Sequence, residues 1–112
     1  MACEAERDRW IEEHVSYQDT EEKLTEALIS LQSCENEHNK LVEDVSEILN
    51  SDRPFQKKMG LLDEKRGEDS AVKGDIEYYK DEIVGLRNGL NSLKISMDNY
   101  FQKYFDCRKK CS

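Results

Sequence analysis

From Val72 to Cys111, apolar or large side chains fall at Val72, Ile76, Tyr79, Ile83, Leu86, Leu90, Leu93, Met97, Tyr100, Tyr104, Cys107 and Cys111. The steps between them alternate four and three without a miss. An average step of 3.5 keeps one seam on one side of a helix only if that helix winds around a partner. With Ile76, Ile83, Leu90, Met97, Tyr104 and Cys111 as heptad a positions, the d positions are Val72, Tyr79, Leu86, Leu93, Tyr100 and Cys107. β-Branched a with leucine d favours two parallel strands, a preference that the tyrosines dilute.

The charges beside this row select an orientation. The e positions are Lys73, Lys80, Arg87, Lys94, Phe101 and Arg108; the g positions are Asp75, Glu82, Gly89, Ser96, Lys103 and Lys110. In a parallel, in-register pair Asp75 meets Lys80 and Glu82 meets Arg87, both attractive. An antiparallel pairing of this segment with its own copy sets a nearly all-basic edge against itself. Each exposed pair contributes only a few tenths of a kcal/mol, but the signs agree. The expectation is an all-α fold: an elongated parallel dimeric coiled coil, dimerised through Val72, Ile76, Tyr79, Ile83, Leu86, Leu90, Leu93, Met97, Tyr100 and Tyr104. The alternative is an antiparallel helical hairpin within one chain.

Composition fits long helices: 38% of the 112 residues are charged, 37% are hydrophobic, and there is one proline. Thin apolar stripes cannot enclose a compact core, and each leucine or isoleucine buried on another helix contributes roughly 1.5–3 kcal/mol. A net charge of −8 disfavours nucleic acid or anionic lipid as the main ligand. No apolar run approaches 18 residues, and Met1-Ala2-Cys3-Glu4-Ala5-Glu6 lacks the regions of a secretory signal. The expected setting is cytoplasmic, with thiols reduced.

Three segments follow: 1–50, 51–71 and 72–112. In the first, imperfect heptads place Trp10, Tyr17, Leu24, Leu31, His38 and Val45 at d, and His14, Glu21, Leu28, Glu35, Val42 and Leu49 at a. Ala27, Leu41 and Ile48 at g widen the stripe, and the e row (Gln18, Thr25, Gln32, Asn39, Ser46) is uncharged. Between 51 and 71 the spacing predicts an interruption or a short weak helix. Ser51 or Asp52 would cap it, with Pro54 in its first turn. Phe55 and Leu62 stay in phase with the a row, Lys58, Lys65 and Asp69 take core slots, and Gly60, Gly67 and Gly74 loosen the stretch.

Catalysis, cofactors and metals find little support. His14 and His38 on core positions suggest a pH-sensitive seam or, more simply, polar core residues. Cys107 and Cys111 share one helix face, but the second ligand pair of a zinc module is absent, and Cys3 and Cys34 are expected to lie far from them. Carboxylates on solvated helix faces without a pocket are solubilising charges. No catalytic, cofactor-binding or metal residues are expected. The candidate partner-binding residues are Phe101 and Phe105, one turn apart and off the seam, with Lys94 and Lys103 beside them; Ile95 and Arg108 adjoin.

Residues 90 to 104, Leu-Asn-Ser-Leu-Lys-Ile-Ser-Met-Asp-Asn-Tyr-Phe-Gln-Lys-Tyr, resemble the signature of the transforming acidic coiled-coil (TACC) domain, L-N-S-x-E-[KR]-S-[FL]-S-D-L-F-[KR]-R-[FY]. Leu90, Asn91, Ser92, Ser96 and Phe101 match outright, and Lys103 and Tyr104 match in kind. Lys94, Ile95 and Asp98-Asn99 depart from it. Cys34-Glu35 lies at about the distance of a similar pair in the family. The resemblance implies a parallel dimeric coiled coil at centrosomes and spindles, recruiting a TOG-domain microtubule polymerase under mitotic kinase control. The family's domain is longer than this chain. The expected function is therefore a non-catalytic dimerisation scaffold or adaptor of the cytoskeleton, partnered by its own copy or a similar coiled-coil chain and by a further protein. The rivals are a hairpin interaction module of another complex and a cysteine-based metal- or redox-sensing module.

Overall fold

The structure, a computed structural model, describes residues 3 to 111, the side chain of Cys111 excepted. Among the described residues there are two helices and no strand: α1 (Glu4–Leu49) and α2 (Phe55–Cys111). They divide into two compact units. A terminal unit joins Met1–Glu26 with Ile83–Ser112, and a turn unit comprises Ala27–Glu82. Within each unit the α1 and α2 segments run antiparallel, as the contacts below establish.

The turn between the helices is built from backbone groups that each helix end leaves without an internal partner. Asn50 N–H donates to the Ser46 carbonyl (3.1 Å), and Ser51 donates to the Ile48 carbonyl through both its N–H (3.2 Å) and its hydroxyl (2.7 Å). The last turn of α1 holds no basic residue. Lys58, one turn into α2, supplies the cation instead, its Nζ donating to the Leu49 carbonyl at 3.1 Å. Ser51 thus closes α1 rather than capping α2. Pro54 stands just before α2, and its carbonyl accepts the first helical hydrogen bond, from Lys58 N–H at 3.0 Å. A residue without an N–H forfeits nothing there. The non-helical stretch is confined to residues 50 to 54, and α2 runs on through Gly60, Gly67 and Gly74.

The turn unit is a helical hairpin around Ala27, Leu41, Ile48 and Val72, all buried. Leu31, Val45, Ile76 and Tyr79 are half-buried beside them. Two core slots that carry charge are resolved by pairing across the hairpin: Lys65 Nζ lies 3.4 Å from Asp44, and Asp69 is hydrogen-bonded to His38 Nδ1. Phe55, expected in the inward row, is exposed, because α1 has already ended opposite it.

In the terminal unit Ile83 is buried, and Leu86, Leu90, Leu93, Met97, Tyr100 and Tyr104 are half-buried. Two helices in contact cover only one side of each row, so partial burial is the expected depth. Every residue of the predicted α2 seam from Val72 to Cys107 is buried or half-buried. In each unit that row packs on α1 of the same chain.

The α1 register differs from the expectation. Of the row His14, Glu21, Leu28, Glu35, Val42 and Leu49, Glu35 is half-buried and the others are exposed. The row one step earlier, Glu6, Glu13, Thr20, Ala27, Cys34, Leu41 and Ile48, turns inward with the d row. Taking the earlier row buries Leu41 and Ile48 and leaves Glu21 in water, at the expense of exposing Leu28, Val42 and Leu49.

Candidate partner-binding surface

The terminal unit carries the densest set of aromatic rings. Trp10 of α1 lies 5.5 Å from Phe101 of α2, ring centre to ring centre, and stacks at 6.0 Å on His14, one turn further along α1. Phe101 stacks at 6.4 Å on Phe105, one turn further along α2. Such spacings suit aromatic pairs, which add to the burial of their area. The phenylalanines remain wet: Phe101 is 45% exposed and Phe105 46%. An open cleft of about 340 Å³ lies beside them, lined by Phe101, Tyr104, Phe105, Arg108 and Lys109.

Cations frame these rings. Lys109 Nζ sits 5.1 Å from the centre of Phe105, and the Arg108 guanidinium 5.8 Å from that of Tyr104. On the other flank, Tyr100 receives Arg9 at 5.0 Å and Lys103 at 5.2 Å, and its hydroxyl bonds to Arg9 at 3.1 Å. That bond, and the field of Tyr100, raise the Arg9 pKa above its ordinary value; Glu12 and Glu13 act in the same direction.

The four predicted partner-binding residues therefore divide. Phe101 and Phe105 form the ridge, and Lys94 lies one heptad before Phe101 on the same stripe. Lys103, two residues from Phe101, points to the opposite flank and is engaged with Tyr100. Ile95 is exposed on the back of α2. Trp10, the α1 half of the ridge, was expected to be a core residue only. Its signal was its size on a helix whose neighbouring inward residues are Glu6 and Glu13.

The cysteines overturn an expectation. Cys3 and Cys107 form a disulfide, with Cα atoms 5.8 Å apart across 104 residues of sequence. Cys3 is not remote from Cys107, because antiparallel packing brings the start of α1 beside the end of α2; these two thiols are not reduced. Cys34 is a free, half-buried thiol. Desolvation, followed by Asp75 and Glu37, pushes its pKa up, which keeps it protonated and weakly nucleophilic. A joint Cys107–Cys111 site does not describe Cys107, whose sulfur is taken; the side chain of Cys111 lies outside the described residues.

Of the two histidines, His38 is turned inward and His14 outward. His38 bonds to Asp69, and Asp69 also meets Lys73 at 3.3 Å. The hydrogen bond from His38, then that from Lys73, hold the Asp69 carboxyl below its ordinary range despite partial desolvation. Among the described residues no group of three His, Cys, Asp or Glu side chains is placed to hold a metal ion. No described helix is long and apolar enough to cross a membrane. Comparison of the chain with models of known protein families, with curated proteins and with solved structures gave no match.

Proposed function

We propose that this chain is a non-catalytic helical scaffold or adaptor that binds a protein partner through its terminal unit. The observation that carries the reading is the ridge of Trp10, Phe101 and Phe105. Phe101 and Phe105, in a chain of ring contacts with the half-buried Trp10, are left half in water, where the same rings turned inward would bury more apolar area. Rigid aromatic side chains with cations at their rim are the residue types that dominate binding energy at protein interfaces. In this reading Phe101, Phe105 and Lys94 contact the partner, and Lys103 holds Tyr100 in place. Pull-down of a defined partner by the native chain, lost with Phe101→Ala and Phe105→Ala, tests it; undiminished capture by the double variant would refute it.

A second reading keeps the α2 row for a second copy. Its unbroken spacing, and the attraction of Asp75 for Lys80 and Glu82 for Arg87 in a parallel pair, favour a parallel homodimer. That reading goes with the resemblance to TACC domains, and with it a place at centrosomes or spindles and recruitment of a TOG-domain polymerase. The α2 row cannot pair with α1 of its own chain and with a second α2 at once. Light scattering coupled to gel filtration separates the forms: a mass of 13.1 kDa supports the single chain, and twice that mass, abolished by Leu90→Glu with Leu93→Glu, supports the dimer.

A further inference from the structure

Arg87, Lys94, Phe101 and Arg108 recur at intervals of seven along α2. Seven residues are two turns of a supercoiled helix, so these four side chains form one straight stripe, about 32 Å long, beside the seam. The contact of Phe101 with Trp10 fixes where the stripe lies: on the flank where α1 and α2 meet. Among the described residues none of Arg87, Lys94 and Arg108 has a carboxylate at ion-pair distance. Arg108 rests on the Tyr104 ring instead.

We propose that this flank binds an acidic amphipathic helix of a partner protein. Its apolar residues would cover Trp10, Phe101 and Phe105, and its carboxylates would meet Arg87, Lys94 and Arg108. This proposal rests on the adaptor reading and names the partner's chemistry. Three observations carry it. The stripe is too long and narrow for a small ligand and has the dimensions of about six helical turns. Its apolar centre with cations before and after it is the complement of a helix with leucines on one face and glutamates beside them. The same part of α2 already accepts an acidic helix on its inward side, since residues 4 to 26 of α1 carry nine acidic residues against three basic.

Trp10 is the single tryptophan of the chain and lies against Phe101 of the stripe, so its fluorescence reports occupancy directly. The full, oxidised chain is titrated with three probes. These are a synthetic helical peptide with leucines at heptad spacing and glutamates elsewhere, the same peptide with lysine for every glutamate, and vesicles of phosphatidylcholine with phosphatidylserine. The glutamate peptide is expected to shift Trp10 emission saturably, to weaken with added salt, and to bind at least about tenfold more tightly than the lysine peptide. The exposed-residue variant Arg87→Glu with Lys94→Glu, its helicity verified by circular dichroism, should lose that preference; Phe105→Ala should weaken both peptides. Equal binding of the two peptides, a shift with vesicles alone, or full retention of the preference by the charge-reversed variant would overturn the proposal. None of those results bears on capture of a partner by the native chain, which tests the adaptor reading separately.

Discussion

In the turn unit Ala27, Leu41, Ile48 and Val72 are buried and the charged slots are filled by complementary pairs. In the terminal unit, among the described residues, Ile83 alone reaches that depth, and the α1 side offers one aliphatic residue, Leu24, beside Glu6, Trp10, Glu13, Tyr17 and Thr20. The contact there is made by rings, by cations over rings and by a covalent link between Cys3 and Cys107. Burial of aliphatic area grows with the number of carbons removed from water, and a helix pair has few to offer. Where α1 presents aliphatic residues, the hairpin closes on them. Where it presents polar ones, an aromatic surface half in water and a disulfide take their place. The turn unit therefore rests on aliphatic burial, and the terminal unit on rings and a covalent link.

The disulfide offers the largest means of breaking this contrast. Closing a loop of about 100 residues restricts the unfolded chain by about 4–5 kcal/mol in the chain-entropy account. Reduction, or Cys3→Ser, should lower the thermal midpoint, and hydrogen exchange of the reduced chain should show residues 4 to 26 and 83 to 110 opening before the turn unit. Opening of both units together would erase the distinction between them. Next in size, Leu41→Ala or Ile48→Ala removes buried methyl groups from the turn unit at a cost of about 2–4 kcal/mol. Chemical denaturation should register it with the disulfide intact, whereas Leu28→Ala, on the exposed row, should change stability by less than about 0.5 kcal/mol.

A smaller effect comes from pH. The Asp69 carboxyl has a folded pKa below its ordinary value of 3.8, through its bonds to His38 and Lys73. Its contribution is therefore fully present above that ordinary value and disappears as the pH falls from 3.8 through the depressed folded value. Acid titration of the thermal midpoint should show this decline, and Asp69→Asn should flatten it. The smallest effect sharpens the picture of α2 as an unbroken helix. A methyl group added at Gly67 or Gly74 meets nothing within 4 Å. Alanine there should stabilise the turn unit by up to about 1 kcal/mol, readable as a rise in denaturation midpoint.

The α2 seam was legible because each of its positions from Val72 to Cys107 is apolar, aromatic or cysteine, so hydropathy and geometry agree. The α1 seam was not. Its inward row contains Glu6, Glu13, Thr20 and Cys34, while the outward Leu28, Val42 and Leu49 imitate a core. Partial burial makes this tolerable: the Glu13 side chain is 18% exposed yet keeps Arg9 at 3.7 Å. The charges of residues 72 to 112 against their own copy favour a parallel pair. The stronger signal lay in setting the acidic residues 4 to 26 against residues 94 to 110, where five basic residues outnumber two acidic. The disulfide had a signal as well. Cys3 lies about as far before the Ser51–Pro54 turn as Cys107 lies after it, and a chain folding back at that proline brings them together.

Pairing of the two ends of one chain underlies the whole account, and the native disulfide reports on it most directly. Mass spectrometry of peptides from the unreduced 13.1 kDa species should recover Cys3 linked to Cys107. Recovery of Cys107 linked to Cys107 in a species of twice that mass would show that the α2 segments lie side by side in two chains, and the antiparallel terminal unit would have to be given up.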